Sequence, residues 1–410
     1  MKPTGAIILA LLTASALAEP SITITVNRVQ QRYPWNGLVD IDYTIGGVPA
    51  EKKVDYRIEF ALSGTTNGVD FALTPVHFTE YAPCDLPLAD GTWRVTWDSA
   101  KDGFLAQASD VSVSGEVIYD PVTAREAEYL VVELPEGSTT AECPVRCVRT
   151  AYPSSAFNLQ RYKTEKYVMK RVRGGEAWIS NGSADVRSGN KRYRVCLTRD
   201  YHLGIFELTR EQATRLAGSA KLGLSSVISG DAEATKMLPM SGVNFQLTTS
   251  DGYPLERINA RARYHGFAFD GFSLPTEAQW EYACRAGAET TYPWGTDGGL
   301  LVNYAWCGSN SMLLKRTFPV GTLLPNDWGF YDMLGNASEW VSDWVGNRPA
   351  YSETEVTEDW AGPENGTNRM SCGGYFENAP YVFTRHTRTP SSSDTNGARE
   401  GALRLMRYVP

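Results

Sequence analysis

Apolar and polar residues alternate along the first quarter of the chain. The alternation recurs in short runs, and segments rich in Gly and Asn separate these runs. A period of two places one face of a strand against a core and the other face in water. The pattern therefore predicts a series of short antiparallel strands, at residues 22–26, 38–43, 56–60, 93–97 and 111–113.

The spacing of these strands and turns is typical of a small antiparallel sandwich. We therefore predict an immunoglobulin-like β-sandwich at residues 19–118. This stretch carries no recognisable acid, base or metal constellation, so we expect a structural or spacer role, with carbohydrate or protein binding as the alternative. The apolar run at 129–134 predicts one short strand. The segment after it is rich in Pro, Gly, Ser and Thr, which is typical of a turn or linker. We therefore predict a linker with one short strand at 119–160.

The pattern changes from Tyr193 onward, where short helical segments, many glycines and tryptophans in loops replace the alternating runs. Thr209 is followed three residues later by Gln212, which predicts a capping box at the start of a helix. Thr276 likewise precedes a helical segment with an apolar face that includes Trp280. These two threonines predict two helix starts in the second half of the chain.

The amino terminus has the pattern of a secretory signal. Lys2 precedes an apolar run at 6–14, and Ala16 and Ala18 form an Ala-x-Ala cleavage site, which predicts a signal peptide at 1–18 and a secreted or periplasmic protein. No later run approaches the roughly 20 apolar residues of a spanning helix, so no transmembrane segment is expected. A net charge of −8 argues against nucleic acid as a partner, because phosphate binding needs clustered Lys and Arg.

The chain has seven cysteines, an odd number, so disulfides are possible in an exported protein but at least one thiol has no partner within the chain. Cys143 and Cys147 could close a small loop or stay unpaired, and the spacing does not decide between these alternatives. Four histidines well separated in the sequence offer little for a zinc or non-haem iron site.

Several motifs follow one another in the second half of the chain, at residues 272–287, 292–295, 303–305, 318–321, 326–340 and 372–376. In this order they resemble the formylglycine-generating-enzyme, or sulfatase-modifying factor, family. The resemblance implies a compact fold related to C-type lectins, with little regular secondary structure, at 161–410. The whole chain is therefore predicted to be α+β, an N-terminal antiparallel β-sandwich followed by this C-type-lectin-like fold.

The resemblance also implies calcium at the loop 332–339. The Asp332 and Glu339 carboxylates and the Gly335 and Ala337 carbonyls would supply the hard oxygen ligands that calcium prefers. The alternative is that the two carboxylates only tie the loop to backbone amides. A second calcium site of the family would use Asn303, but the segment 306–315 that follows has no Asp or Glu, so the resemblance supports that site less.

The family's oxidase chemistry uses two cysteines, five residues apart, whose thiolates bind copper(I) after a Gly-Gly pair. In this chain the two positions after Gly373 and Gly374 are Asn378 and Phe383. Copper(I) selects soft thiolate ligands, so copper is not expected here. Tyr375 also stands in place of a family serine, and Ser338 in place of a family tryptophan.

We therefore predict a non-catalytic module that binds an extracellular protein, peptide or glycan. The candidate ligand-binding residues follow the Gly-Gly pair: Tyr375, Phe376, Asn378 and Arg385. The alternative function is a formylglycine-generating oxidase acting on protein cysteine, or a related oxidoreductase with altered chemistry. The oligomeric state does not follow from the sequence.

Overall fold

The structure, a computed structural model, describes residues 22–34, 36–49, 55–105, 109–180, 192–222, 232–311, 314–349, 352, 354–383, 388–391 and 401–410. The predicted signal peptide at 1–18 lies outside these residues. Antiparallel sheets make up the N-terminal part, and strands and short helices mix in the C-terminal part. The predicted α+β fold class is confirmed.

The N-terminal part is a sandwich of two antiparallel sheets, ordered β1-β2-β5 and β4-β3-β6 among the described strands. Its core lies between the sheets and includes Ile41, Tyr43, Phe60 and Trp97, all buried. Burial alternates along β2 as the period-two pattern predicted. The immunoglobulin-like connectivity stays a prediction. The strands are β1 (Thr23–Gln31), β2 (Leu38–Gly46), β3 (Tyr56–Thr66), β4 (Val69–Leu73), β5 (Gly91–Asp98) and β6 (Ser109–Tyr119).

An eight-stranded sheet, in the order β14-β13-β8-β7-β9-β12-β21-β15, organises the described C-terminal part. Two smaller sheets, β19-β18-β16-β20 and β10-β11-β17, accompany it. Regular structure is therefore more extensive than the resemblance implied, although several strands have only two to four residues. The strands are β7 (Tyr129–Glu133), β8 (Cys143–Val148), β9 (Lys166–Val172), β10 (Gly175–Ser180), β11 (Arg192–Leu197), β12 (Tyr201–Gly204), β13 (Ala262–Tyr264), β14 (Phe267–Ala268), β15 (Phe272–Ser273), β16 (Ser338–Trp344), β17 (Val356–Glu358), β18 (Arg369–Cys372), β19 (Arg388–Ser391), β20 (Gly401–Ala402) and β21 (Met406–Tyr408).

The predicted linker at 119–160 is wrong in part. Its predicted short strand exists as β7, but β7 lies in the middle of the large sheet, where Tyr129 pairs with Val148 of β8 and with Lys170 of β9. Residues 129–148 therefore form part of the C-terminal core. The alternation of a single strand predicts its existence, but it does not show which distant strands pair with it.

Short helices pack around the sheets. The capping box predicted at Thr209 and the helix cap predicted at Thr276 are both present, each with the threonine side chain accepting from the backbone of a glutamine three residues on, and the Thr276 cap is also a capping box. The helices are α1 (Arg161–Thr164), α2 (Arg210–Ala217), α3 (Ser219–Leu222), α4 (Ala232–Lys236), α5 (Phe245–Thr248), α6 (Pro254–Arg261), α7 (Glu277–Arg285), α8 (Leu301–Tyr304) and α9 (Gly308–Ser311). Among the described residues, no helix combines the length and apolar character needed to cross a membrane.

All seven cysteines lie in the described part of the chain, and no disulfide forms among them there. Cys143 and Cys147 stand at the start and near the end of β8. Four residues of extended strand span about 13 Å, whereas the Cα atoms of a disulfide lie within about 7 Å of each other. The small loop considered between these two cysteines therefore does not form.

Buried polar contacts join the sandwich to the large sheet. Lys166 Nζ on β9 lies 2.6 Å from Asp85 Oδ2 of the sandwich, and the Tyr162 hydroxyl donates to the same carboxylate oxygen at 3.0 Å. Arg146 on β8 donates to the Tyr56 carbonyl at 3.0 Å and to the Cys84 carbonyl. An unpaired buried charge is costly, so these paired groups fix the two parts against each other.

Candidate functional site

The Gly-Gly turn after β18 has a backbone that only glycine suits. Gly373 and Gly374 have φ angles of 90° and 71°, a region that L side chains rarely adopt. A Cβ at Gly373 would also lie 3.2 Å from the Met333 carbonyl oxygen. The Gly373 carbonyl accepts from the Gly335 amide at 2.9 Å. The turn is thus packed directly against the loop 332–339.

Asn378 closes the loop that follows this turn. Its Oδ1 accepts from the Tyr375 amide at 2.9 Å, and its own amide donates to the Tyr375 carbonyl at 2.9 Å. Its carbonyl accepts from the Gly308 amide at 2.9 Å. Asn378 therefore serves as a local backbone cap, which is a common use of asparagine in turns.

Phe383 is completely buried in the core of the C-terminal part. Its amide donates to the Pro380 carbonyl at 3.2 Å, where a short 3-10 turn ends. Cys307 and Cys372 are buried members of the same core cluster. The position that would carry a copper-binding cysteine in the family thus holds a packed aromatic ring.

The four candidate ligand-binding residues are not equally available. Phe376 is buried, and its backbone binds Asn336 and Ser311, so little of its side chain is open to a ligand. Asn378 is partly exposed, but its Oδ1 is already engaged. Tyr375 is partly exposed. Arg385 lies outside the described residues.

Glu339 is held by a buried guanidinium and a buried indole. Arg404 donates to both carboxylate oxygens, at 2.6 Å from Nη2 and 2.8 Å from Nε. Trp280 Nε1 donates to Oε2 at 2.6 Å, and all three side chains are buried. Both oxygens are therefore occupied by donors, and a calcium ion would meet the positive charge of Arg404. These contacts do not fit the predicted role of Glu339 as a calcium ligand.

Asp332 has one bound and one unbound carboxylate oxygen. Oδ2 accepts from the Gly321 amide at 2.6 Å, which matches the alternative that the carboxylate ties the loop to backbone. Oδ1 is buried with no hydrogen-bond partner. Burial raises the pKa of Asp332 to about 6. The carboxyl is thus costly to ionise where it stands.

The other predicted calcium ligands have structural contacts of their own. Gly335 has a φ of 78°, and a Cβ there would lie 2.1 Å from the Trp306 carbonyl oxygen. The Ala337 amide donates to Glu207 at 3.1 Å. Asn303 is exposed on α8, and its carbonyl accepts from the Leu324 amide at 2.9 Å. Within the described ranges, no three His, Cys, Asp or Glu side chains come close enough together to hold a metal. Calcium binding by this loop stays a prediction.

Sequence reasoning missed Glu207 and Arg404. Glu207 is buried and accepts from the Asn336 side chain at 2.9 Å, and burial, with Asp332 and Glu339 nearby, raises its pKa well above the ordinary value. Arg404 also donates to the Gly204 and Tyr331 carbonyls. A lone arginine between Leu403 and Leu405 was an available signal, because a buried guanidinium requires a partner.

Comparison with known proteins shows the family. The family described as "sulfatase-modifying factor enzyme 1-like domain" matches residues 159–408. The chain is 30% identical over 189 residues to formylglycine-generating enzyme of Bos taurus, covering 40% of this chain and 50% of that protein. It is 34% identical over 173 residues to formylglycine-generating enzyme of Streptomyces coelicolor, covering 38% and 54%. The chain thus spans about half the length of these relatives.

Among solved structures, the chain is similar to Treponema denticola variable protein 1. The TM-score is 0.48 and the sequence identity is 24%, over 60% of this chain and 96% of that one. The family match begins after β8, so the sandwich and the first two strands of the large sheet precede it.

Proposed function

Because this chain belongs to the sulfatase-modifying factor enzyme 1-like family, we propose that it is a member without oxidase activity. It acts instead by binding a protein, peptide or glycan outside the cytoplasm. The formylglycine-generating activity is named for relatives of which this chain spans about half. That activity is therefore not carried over to this chain.

The proposal rests on the side chains that occupy positions 378 and 383 and on what they contact. The resemblance assigns both positions to copper-binding thiolates, but Asn378 caps its own loop and Phe383 fills the core. Amide oxygen is a poor ligand for copper(I), and a phenyl ring offers no donor atom. Each side chain therefore has a structural task in place of a catalytic one.

Cys284 is poorly suited to replace either thiol. Cys284, Cys307 and Cys372 are buried, and burial raises the pKa of the Cys284 thiol. Thiolate is the form that binds a metal. A buried thiol with a raised pKa is therefore poorly suited to take over copper binding.

Export is part of the proposal because the pattern at residues 1–18 is that of a signal peptide.

Copper(I) titration of the purified, reduced chain tests the proposal. We expect the folded protein to lose all added copper(I) to a competing chelator such as bicinchoninate, whereas the same protein unfolded in denaturant should retain copper(I) on its exposed thiols. Tight, stoichiometric binding by the folded protein that is lost in Cys372→Ser or Cys307→Ser would contradict it.

A further inference from the structure

A groove runs along the junction between the sandwich and the large sheet. It encloses about 510 Å³, within the range of ligand-binding clefts. Pro87 and Trp93 line it from the sandwich, and Pro135, Pro144 and Arg161 line it from the C-terminal part. We refer to this cleft as the junction groove.

The walls of the junction groove are fixed relative to each other. The Asp85–Lys166 ion pair crosses between the two walls. Burial opposes ionisation of Asp85, but Lys166 and Arg146 hold its pKa below the ordinary value. The Tyr162 hydroxyl also accepts from the Ala82 amide at 2.9 Å. A ligand would therefore meet a preformed site and would not have to order it.

Acidic groups dominate the exposed charge of the groove. The side chains of Glu133, Glu142 and Glu165 are 50%, 65% and 47% exposed. The four basic side chains of the lining are more buried: Arg146 is partly buried, and Lys166, Arg215 and Arg161 are 6%, 11% and 23% exposed. A ligand in the groove thus meets carboxylates more readily than ammonium or guanidinium groups.

These carboxylates keep capacity for a further partner. Glu142 lies 3.5 Å from Arg263, and Glu165 lies 3.6 Å from Arg161, both longer than a normal hydrogen bond. Glu133 lies 3.2 Å from Lys166, which also pairs with Asp85 at the shorter distance of 2.6 Å. Such exposed ion pairs are weak, so positive groups of a ligand can replace or join them.

The aromatic residues of the groove do not favour a saccharide. Stacking of a sugar ring needs an open aromatic face, but Arg161 covers the Tyr81 ring at 4.4 Å. Trp93 packs partly into the sandwich core and donates its Nε1 to the Ala89 carbonyl. Proline rings and carboxylates remain, which suit the side chains and backbone of an extended basic peptide.

We propose that the junction groove binds a positively charged, extended peptide segment of a partner protein. This proposal rests on the binding function proposed above and gives that function a location and a ligand class. Charge complementarity is its basis: three exposed carboxylates line one side of a rigid cleft whose basic groups are largely buried.

The test uses the full chain and three sets of seven-residue peptides with acetylated and amidated ends. The sets differ only in charge: one is rich in Lys and Arg, one is neutral, and one is rich in Asp and Glu. Fluorescence polarisation measures binding to the wild type and to the triple variant Glu133→Gln, Glu142→Gln, Glu165→Gln. A matched control, Glu355→Gln, Glu364→Gln, Glu377→Gln, removes the same charge at exposed positions away from the groove. Melting curves check that both variants fold.

We expect the wild type and the control to prefer the basic set, and the groove variant to bind it about tenfold more weakly, as loss of three exposed charge contacts implies. Equal binding by the groove variant and the control, or no charge preference in the wild type, would overturn the groove proposal. Binding of a chitooligosaccharide probe, but of no peptide, that is lost in the groove variant would overturn the ligand class. Peptide binding retained by both variants refutes the groove but not the binding function, whereas copper-dependent oxidase activity refutes the function itself.

Discussion

Two neighbouring segments of the C-terminal part differ sharply in what their side chains do. The loop 332–339 contributes Glu339 to a fully buried ion pair with Arg404, while the segment 373–383, in contact with it, holds a capping asparagine and a core phenylalanine. The first segment keeps a charged network that organises the fold. The second has the family's turn without the family's reactive thiols. The family's turn is therefore retained while the side chains at 378 and 383 contribute to the fold.

Removing the charge from the first segment should have the largest effect. Glu339→Ala leaves the Arg404 guanidinium buried without its carboxylate, which costs about 3–5 kcal/mol, and leaves the Trp280 N–H unpaired, at about 1–3 kcal/mol. Urea unfolding should show this loss equally with and without a calcium chelator. The exposed Glu364→Ala provides the control. A loss of stability seen only when calcium is present would restore Glu339 as a calcium ligand.

Truncating the second segment's phenyl ring should come next. Phe383→Ala removes a completely buried ring and should lower the free energy of unfolding by about 3–5 kcal/mol. Phe267→Ala, at an exposed hairpin position, should change stability little. Equal effects of the two substitutions would mean that Phe383 is not a core residue, and the contrast between the segments would fail.

The parts of this picture that sequence could predict are local. Period-two runs predicted the sandwich strands, and Thr209 and Thr276 predicted two helix starts, because these patterns act within a few residues. The pairing of β7 with β9, and the capture of Glu339 by Arg404, join positions distant in sequence. No periodicity encodes such pairs. The resemblance to the family located positions 378 and 383, but only packing showed that Phe383 and Phe376 are buried.

Low pH should favour the folded state through Asp332 of the loop 332–339. The pKa of Asp332 rises from its ordinary 3.8 to about 6 in the folded state, so its contribution is fully present below about pH 4 and is lost as pH rises through about 6. Asp332→Asn, which resembles the protonated form, should therefore gain up to about 3 kcal/mol over the wild type at neutral pH and nothing at low pH.

The free energy of unfolding must be compared between the wild type and Asp332→Asn at each pH. Burial lowers the pKa of His202 to about 4, so His202 loses stability as pH falls and opposes the trend of Asp332. The two effects separate because His202 is common to the wild type and to Asp332→Asn. A stability difference between the two proteins that does not change with pH would show that Asp332 ionises normally.

The smallest effect on stability is expected for Asn378, which caps the loop after the Gly-Gly turn. Asn378→Ala removes the acceptor of the Tyr375 amide and should cost about 1 kcal/mol, while Asn378→Asp should restore most of it because a carboxylate can accept the same bond. Thermal unfolding measures both. An unchanged melting temperature in Asn378→Ala would mean that the loop does not depend on this side chain.

The central claim is that this chain lacks formylglycine-generating chemistry, and incubation with a sulfatase-type cysteine peptide tests it most directly. The wild-type protein, supplied with copper(I) and oxygen, should leave the peptide mass unchanged. Restoring both thiols with Asn378→Cys and Phe383→Cys need not produce turnover, because Tyr375 and Ser338 also differ from the family. A mass loss on the substrate cysteine that matches aldehyde formation, depends on copper and is absent with heat-denatured protein would contradict the account.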